Sequence, residues 1–364
     1  MPVRPFVEDD IPQVADLYWM VMREQNGPAP PAIRSSLQEL YFTNPWIDST
    51  IPSLVYDDKG RIVGFLGVVP RRMSLGSQTI RVAFGGNFAV HPEFRNTLAG
   101  LHLLRTYMAG GQDISQTDSA NDTSRALLER LGFSTILSYS VHWIRPLRPA
   151  RCLAYASSHL RQSSLAHALE FVSRPISNVA DLLTAGISSN PFRQSGSPLR
   201  PDDLDVGSLL ACLEEFRCGY SLWPEYDERS LNWLLSFMER MKGHGNALRR
   251  FVLRDDSGKI LGWYIYYAKP GLFAEVVQIG GARQHLKSIL NHLFHDAWSQ
   301  GAIGLHGVVD RRFMGEFSEE NCFFTCRGGW TVAHSRKPQL LELLNRGDAF
   351  LSRLDGEWCL ALGG

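Results

Sequence analysis

The chain has 364 residues, with 37 Lys and Arg against 37 Asp and Glu, so its formal net charge is zero. Hydrophobic residues make up 44% of it and charged residues 20%, which excludes a disordered, collagen-like or coiled-coil protein. At about 150 residues per domain, the length predicts two domains. The neutral charge balance provides no general attraction to nucleic acid or to an anionic membrane, so we expect neither partner.

The sequence also bears on compartment and metal content. Residues 1–13 lack the apolar core of about 7–15 residues that a secretory signal carries. No apolar run approaches the roughly 18 residues needed to span a bilayer. The six cysteines are scattered, with no C-x-x-C pair, which is typical of reduced thiols rather than of a disulfide framework or a metal site. We therefore expect a cytoplasmic protein without a bound metal.

The first 145 residues or so predict an α+β domain with the element order β-α-α-β-β-β-α-β-α-β. Turn residues at Asp57–Gly60, and at Asp255–Gly258 in the second half, separate extended segments and predict one hairpin each. A further turn at Gly76-Ser77 leads into a long strand. Gly132 is a plausible helix C-cap. Alternation predicts strands at 2–6, 54–56, 61–69, 79–90, 113–117 and 134–144, and helical spacing predicts helices at 11–21, 35–42, 98–108 and 121–131.

The segment 147–201 differs in composition and is predicted to be a connector between domains. It is rich in Ser and Ala, and helices are predicted near 152–172 and 176–185. Its arginines are interpreted either as a solvated linker surface or as a clamp for a phosphate-bearing ligand. The charged residues from 146 to 200 are Arg148, Arg151, Arg161, Arg174, Arg193 and Arg200, against Glu170 and Asp181.

The second half repeats features of the first. Asp57–Phe65 recurs as Asp255–Trp263 with five of nine residues identical, and each copy leads into another strand, a helix and a strand. This shared order predicts two duplicated domains, at 1–146 and 202–364. Within the second, helices are predicted at 204–216, 230–241 and 284–298, and strands at 251–253, 259–267, 273–279 and 303–308.

The most informative segment is the strand end, loop and helix start at 84–100. A helix N-terminus presents unpaired N–H groups and the positive end of the helix dipole, so it can bind phosphate. Arg95 adds charge-assisted donors, and Gly100 allows close backbone approach. Many strand–loop–helix turns bind nothing, so this pattern alone leaves the site open.

This segment resembles the GNAT superfamily of N-acetyltransferases. Val90-x-Pro92 followed by Arg95-Asn96-Thr97-Leu98-Ala99-Gly100 is similar to the signature Arg/Gln-x-x-Gly-x-Gly/Ala after a Val-x-Pro strand end. The helix that starts at Asn121 and ends in Glu129-Arg130-Leu131-Gly132-Phe133 is also similar to the family pattern. The resemblance covers residues 1–146, whereas 202–364 resembles the fold only and is interpreted as a degenerate copy.

The resemblance implies two GNAT-like domains, each a mixed, largely antiparallel sheet flanked by helices. It implies acetyl-CoA or another acyl-CoA as co-substrate, and transfer of the acyl group to an amine of a small molecule. An amino sugar is suggested only by the aromatic-rich second half. The implied cofactor contacts are backbone groups of Phe88 and Val90 for pantetheine, backbone N–H groups of Arg95, Asn96, Thr97, Leu98, Ala99 and Gly100 for the pyrophosphate, and Asn121 near the sulfur.

The sequence departs from the family pattern at the catalytic positions. Leu98 stands for the first signature glycine, Leu128 for a tyrosine that commonly protonates the thiolate, and the strand 81–87 has no carboxylate. Asn121 and Asp118 are our catalytic candidates, although Asp118 could equally be a capping residue. His91 and His102 are further candidates for the base, with loop capping and solvent exposure as their alternatives.

Two other functions therefore stay open. One is a catalytically inactive GNAT-fold binding or scaffold protein, favoured by the departures at the catalytic positions. The other is a Fem-like transferase that uses aminoacyl-tRNA, which would need a basic groove.

Two further groups in the second half were considered. His292, His295 and Asp296 lie on one predicted helix, where packed or surface histidines are favoured over a metal site. Four aromatic residues are expected in the core, with a flat substrate in a cleft as the alternative. They are Trp223, Tyr226, Trp233 and Trp263.

Overall fold

A computed structural model describes residues 2–161, 192, 199–241, 247–327, 329–357 and 362. The chain divides into two compact units, each built from separate segments. Unit 1 comprises Met1–Ser140, Arg217–Gly243 and Arg327–Gly364, and unit 2 comprises Val141–Phe216 and His244–Cys326. Among the described residues, no helix is both long and apolar enough to cross a lipid bilayer.

Unit 1 is built on a mixed sheet of eight strands, numbered here in chain order through both units. The order is β1-β2-β3-β4-β5-β15-β6, with β9 paired to β3. Only β4 and β5 run parallel; the other described pairs are antiparallel. The strands are β1 Val3–Pro5, β2 Leu54–Asp58, β3 Arg61–Leu75, β4 Gln78–Val90, β5 Ile114–Ala120, β6 Ser134–Thr135, β9 Leu222–Pro224 and β15 Trp330–His334.

Helices cover the sheet of unit 1 because each has an apolar stripe to bury. Leu103, Leu104 and Tyr107 of one helix pack against Leu66 and Ala83 of the sheet. The helices are α1 Ile11–Met22, α2 Pro31–Phe42, α3 Ala99–Met108, α4 Asp122–Arg130, α7 Glu228–Met241 and α10 Pro338–Asn345.

Unit 2 contains a second mixed sheet, of order β14-β7-β13-β12-β11-β10-β8, in which only β12 and β13 run parallel among the described pairs. Its strands are β7 His142–Pro146, β8 Arg200–Asp203, β10 Ala247–Arg254, β11 Ile260–Ala268, β12 Phe273–Gly281, β13 Gly304–Val308 and β14 Phe323–Thr325. Its helices are α5 Pro149–Arg161, α6 Val206–Glu215, α8 Leu286–Ser299 and α9 Met314–Glu319.

The two sheets have the same arrangement when β1 is matched to β8 and β6 to β14. In each sheet the sixth strand is separated in sequence from the strands it pairs with. The sixth strand of the first sheet, β15, comes after the whole of unit 2, and the sixth strand of the second sheet, β7, comes directly after β6 of unit 1. We call this arrangement the exchange of β7 and β15. The prediction of one closing strand at 134–144 is therefore wrong. Those residues form β6, a 3-10 turn at Leu137–Tyr139 and the start of β7, which joins the other sheet. Local alternation predicts a strand but not the sheet it enters.

The exchange of β7 and β15 also means that the two units do not coincide with the predicted domain boundaries. We placed them at 1–146, 147–201 and 202–364 as continuous ranges, whereas both units are discontinuous in sequence. The functional division into those ranges stays a prediction. The predicted connector contributes α5 and β8 to unit 2, while its second predicted helix, at 176–185, lies outside the described residues.

The repeated turns form the two predicted hairpins, between β2 and β3 and between β10 and β11. Gly60 and Gly258 both have positive φ, of 90° and 86°, a conformation that glycine adopts without strain. Asp57 accepts the Gly60 N–H on its carboxylate at 2.6 Å, and Asp255 accepts the Gly258 N–H on its backbone carbonyl at 3.0 Å. The two turns thus share residues and role.

Candidate functional site

A cavity of about 240 Å³ lies where β4 and β5 diverge in unit 1. The two strands pair over only three positions, the last of which is Phe84 with Gln116. Tyr107 of α3 closes the paired end, because its hydroxyl donates to Ala83 O at 2.6 Å and accepts from Gln116 N at 3.0 Å. The cavity is lined by Met22, Leu66, Gly85, Gly86, Asn87, Phe88, Leu104, Tyr107, Gln116, Thr117, Ser119, Ala120, Asn121, Ser124, Leu127, Leu128, Phe133 and Glu357.

Two glycines of β4 leave room at the start of this cavity. A Cβ on Gly85 would lie 3.0 Å from the Tyr107 ring, and a Cβ on Gly86 would lie 2.4 Å from Cγ of Glu357. The next residue, Asn87, has a φ of 50°, and its side-chain amide donates to the Tyr41 hydroxyl at 2.8 Å. The strand therefore bends away from β5 here, and side chains from elsewhere approach its backbone closely.

Glu357 lines this cavity and is a candidate site residue that the sequence patterns did not identify. Its carboxylate accepts hydrogen bonds from the hydroxyls of Thr117 and Ser119, the latter at 2.7 Å, and from the backbone N–H of Asn87. Burial raises the pKa of this carboxyl, against the opposing effect of the three donors. The local sequence signal was only Asp355-Gly356, a turn pattern that says nothing about a site formed with strands far away in the chain.

Asp118, the predicted catalytic carboxylate, lies on β5 but does not line the cavity, whereas its neighbours Thr117 and Ser119 do. Its Oδ1 accepts the backbone N–H of Glu357 at 3.0 Å. Burial, followed by the negative charge of Glu357, raises the pKa of Asp118 to about 7 despite the nearby Arg353 cation. Its geometry is that of a residue that holds the Glu357 backbone.

The predicted pyrophosphate loop leads from a 3-10 turn at Pro92–Phe94 into α3. Three of its six predicted donors are engaged inside the loop. Their hydrogen bonds are Arg95 N to Pro92 O at 3.3 Å, Thr97 N to Phe94 O at 3.0 Å and Ala99 N to Thr97 Oγ1 at 3.2 Å.

The side chains of this loop leave the helix start accessible. Leu98 is the N-cap residue of α3 and its side chain is 59% exposed, so it projects into solvent instead of filling the loop. Gly100 lies against the strand, since a Cβ there would be 3.2 Å from Phe88 Cζ. Asn96 lies in the loop before α3, and Gly100 lies in the first turn of that helix.

Of the other predicted site residues, one lines the cavity and three lie outside its lining. Asn121 lines the cavity as the N-cap of α4, where its side chain accepts from Ser124 N at 2.8 Å. Val90 pairs with Gly64 of β3 at the outer end of β4. His91 caps the loop by accepting from Glu93 N at 3.3 Å, and His102 stacks on Tyr56.

The histidine-containing helix of unit 2 takes part in a packed network. His292 Nδ1 lies 2.8 Å from the Tyr264 hydroxyl. Asp296 accepts from Arg249 at 2.9 and 2.8 Å and from the Tyr266 hydroxyl at 2.6 Å. These contacts join α8 to β10 and β11. In the described part of the chain, no three His, Cys, Asp or Glu side chains gather in a way that could hold a metal ion.

The four aromatic residues do not form one set, since Trp263 belongs to unit 2 and the others to unit 1. Trp263 is fully buried and donates to Gln278 at 2.9 Å. Trp223 stacks on Phe350 with ring centroids 4.5 Å apart. None of the four lines the cavity between β4 and β5.

Residues 12–133 match the family model described as the acetyltransferase (GNAT) family. No curated protein sequence matches the chain significantly. Solved structures with the same fold include a probable N-acyltransferase of Enterococcus faecalis V583, with a TM-score of 0.59, 9% identity, and coverage of 92% of this chain and 72% of that one.

Two further structures are similar over most of the chain. A GCN5-related N-acetyltransferase of Anabaena variabilis ATCC 29413 has a TM-score of 0.58 and 12% identity, over 92% of this chain and 73% of that one. Saccharomyces cerevisiae N-myristoyltransferase, solved with bound myristoyl-CoA and inhibitors, has a TM-score of 0.54 and 9% identity, over 91% of this chain and 79% of that one. At these identities the likeness shows the fold: an α+β GNAT fold with mixed sheets flanked by helices.

Proposed function

We propose that the protein is an acyl-CoA-dependent N-acyltransferase, with acetyl-CoA as the first donor to test and an amine of a small molecule as acceptor. The observation that carries the proposal is the cavity between the diverging strands β4 and β5, since both strands belong to the segment 12–133 that matches the GNAT family model. A thioester held there would lie between the polar edges of two strands. Attack by the amine would be favoured by this fixed proximity and by backbone donors.

In this proposal the acyl-CoA lies along β4 and the start of α3. Backbone groups of Phe88 and Val90 would bind the pantetheine arm, and the loop from Arg95 to Gly100 would bind the pyrophosphate. Since three loop N–H groups have internal partners in the structure, binding would require them to exchange those partners for phosphate oxygens. Asn121 would lie near the sulfur, because it lines the cavity at the start of α4.

The proposed donor is tested by titrating the protein with acetyl-CoA and with CoA in a calorimeter, and by measuring free thiol released in the presence of a panel of primary amines. Arg95→Ala should weaken CoA binding about tenfold or more, because a hydrogen bond to a charged group contributes roughly 1.5–3 kcal/mol. Arg105→Ala, on the exposed part of α3, is the charge-matched control. Equal CoA affinity in the Arg95 variant would remove that residue from the site.

A second candidate, a non-catalytic binding protein with the GNAT fold, is favoured by Leu128. This residue lines the cavity and is buried where the family pattern has a tyrosine that can protonate the thiolate. Binding of acetyl-CoA without thiol release for any amine would favour this candidate.

We further propose that unit 2 is a degenerate copy of unit 1 without a CoA site of its own. The identical strand order supports a duplication. The 3-10 turn Arg283–His285 runs directly into α8, so the four loop residues that precede α3 have no counterpart. The acceptor class stays at a small-molecule amine, because none of the four aromatic residues that suggested an amino sugar lines the cavity between β4 and β5. We also propose a cytoplasmic location, on the scattered cysteine pattern of the sequence.

A further inference from the structure

An acyl transfer to an amine needs a group that removes a proton from the ammonium form, since only the neutral amine has the lone pair that attacks the thioester. The central strand supplies no such group, because residues 81–87 contain no Asp, Glu or His. Asp118 does not line the cavity, and its carboxylate accepts the backbone N–H of Glu357. A carboxylate from elsewhere in the chain is nevertheless present in the cavity.

We propose that Glu357, carried by the C-terminal segment Ser352–Glu357, is the catalytic base that accepts the proton of the acceptor amine. The assignment rests on the proposed N-acyltransferase function. It adds a residue that neither the family pattern nor the local sequence identifies.

The position of Glu357 is the first argument. Its carboxylate bridges the two strands at the point where they diverge, through Thr117 and Ser119 on β5 and the Asn87 N–H on β4. Gly86 is required for this approach, because any Cβ there would overlap the Glu357 side chain. The carboxylate therefore lies between the strand edges that would hold the thioester.

The hydrogen-bond partners of Glu357 are the second argument. All three are neutral donors, and among the described residues no Lys, Arg or His forms an ion pair with this carboxylate. A carboxylate already paired with a cation would be a weak base. Burial instead raises the pKa of Glu357, although the three donors act in the opposite direction, and the higher pKa improves its ability to take a proton.

The anchoring of the segment is the third argument. Asp355 accepts from the Tyr226 hydroxyl at 2.5 Å and from the Ser352 N–H at 2.7 Å. The Arg71 guanidinium, stacked on Trp46 at 3.5 Å, donates to the Asp355 carbonyl at 3.3 Å. Asp118 then holds the Glu357 N–H. The backbone that leads to the carboxylate is thus fixed, as a preorganised catalytic group requires.

The proton and electron balance is complete without another reactant. Glu357 takes one proton from the ammonium, and the freed lone pair forms the C–N bond at the thioester carbonyl. The C–S bond breaks with its electron pair on sulfur. The second proton of the nitrogen passes to the thiolate, and Glu357 releases its proton to water. The products are an amide, the CoA thiol and one proton.

The test compares the full-length protein with Glu357→Gln, Glu357→Asp and the control Glu342→Gln, an exposed glutamate on α10. Thiol release from acetyl-CoA with a panel of primary amines gives kcat and KM, and calorimetry gives acetyl-CoA affinity. General-base catalysis contributes about 10²–10⁴-fold, so we expect kcat of Glu357→Gln to fall at least 100-fold with acetyl-CoA affinity nearly unchanged. Glu357→Asp should retain part of the rate, and Glu342→Gln all of it.

The pH profile separates a base from a structural group. In the wild type, log(kcat/KM) should rise with pH through the raised pKa of Glu357, and the glutamine variant should lose this limb while Glu357→Asp keeps it. An active wild type with an equally active Glu357→Gln variant would overturn the assignment of Glu357 alone. A wild type that binds no acetyl-CoA and releases no thiol would overturn the proposed function, and the base with it.

Discussion

The parallel strand pair at the centre of each sheet has the same architecture but a different interior. In unit 1, β4 and β5 pair from Val82 with Ile114, and in unit 2, β12 and β13 pair from Phe273 with Gly304. Both pairs extend over three positions. Beyond them unit 1 has a cavity, whereas the corresponding place in unit 2 is filled by the indole of Trp143.

Counting from the first parallel pair in each sheet shows where the difference arises. Gly85 and Gly86 of β4 correspond in register to Val276 and Val277 of β12, both buried. On the neighbouring strand, Thr117 corresponds to Gly307, where a Cβ would lie 3.0 Å from Trp143 Nε1. Glycines thus occur on β4 in unit 1 and on β13 in unit 2, and each admits a side chain from a different part of the chain.

The exchanged strands carry the decisive side chains. Trp143 on β7 is completely buried and packs on Phe317 with ring centroids 4.9 Å apart. On β15 of unit 1 the register places Val332, also buried, opposite Thr117, just as Trp143 lies opposite Gly307. Trp330, two residues earlier on β15, pairs with Ala120, is half-buried and donates to Asp122 at 2.8 Å. The indole of Trp143 therefore closes the interior of unit 2, whereas the smaller Val332 occupies this position in unit 1. The two units share a fold, but only in unit 1 do the later segments of the chain leave a cavity beside the parallel strands and bring a polar group, Glu357, into it.

Replacing these two tryptophans should have the largest effect. Trp143→Ala should destabilise unit 2 by about 3–5 kcal/mol, because it removes a fully buried aromatic side chain and leaves a cavity. Trp330→Ala, the matched control at the half-buried position, should cost clearly less. Urea unfolding followed by circular dichroism measures both. Similar losses for the two variants would contradict the contrast between a filled and an open interior.

Gly86→Ala should make β4 more like β12 and should have the next largest effect. The new Cβ would displace Glu357 from the strand, so kcat should fall about tenfold or more, in line with the loss of a positioned base. Acetyl-CoA affinity should change much less. Gly315→Ala on α9 is the matched control, since a Cβ there meets nothing within 4 Å. Unchanged kcat in Gly86→Ala would show that Glu357 needs no contact with the strand.

The sequence predicted the parts of this fold that local patterns determine. Both glycine turns, both hairpins and the helix after β4 depend on alternation and on turn residues within about twenty positions, and the structure confirms them. The exchange of β7 and β15 could not be predicted in this way. Each of these strands pairs with a segment from which it is separated by nearly the whole of unit 2 in the sequence. Both strands show the ordinary alternation of a β-strand, which does not indicate the pairing partner.

The residues of the candidate site also fall into those that a local sequence pattern identifies and those that it does not. Asn121, Phe88 and the loop from Arg95 to Gly100 belong to one continuous motif, so their approximate positions followed from sequence. Glu357 contacts Thr117 across 240 residues of chain, and no spacing rule relates the two. Asp118 was chosen as a carboxylate near the motif, yet its neighbours Thr117 and Ser119 line the cavity and Asp118 does not.

The smallest expected effect concerns Asp118. It is specific to unit 1, because the residue at the same register in unit 2 is Val308, which does not titrate. Its carboxyl has an ordinary pKa of 3.8 and a folded-state pKa of about 7. The folded state therefore binds this proton more tightly than the unfolded state, and the free energy of unfolding should fall as pH rises from about 4 to 7. Asp118→Asn does not titrate and keeps an oxygen for the Glu357 N–H. One pKa unit corresponds to about 1.4 kcal/mol. When the pH is raised from 5 to 8, the free energy of unfolding of Asp118→Asn should therefore increase by at least about 1 kcal/mol relative to that of the wild type.

This gain should come with little loss of kcat in Asp118→Asn and a clear loss in Asp118→Ala, since a positioning residue needs an acceptor oxygen but no proton exchange. Urea unfolding at pH 5 and pH 8, together with thiol release, measures the two effects. Stability curves that run parallel for wild type and Asp118→Asn would mean that the carboxyl does not titrate near pH 7. A kcat for Asp118→Asn as low as that for Glu357→Gln would instead make Asp118 the base, and the C-terminal segment its support.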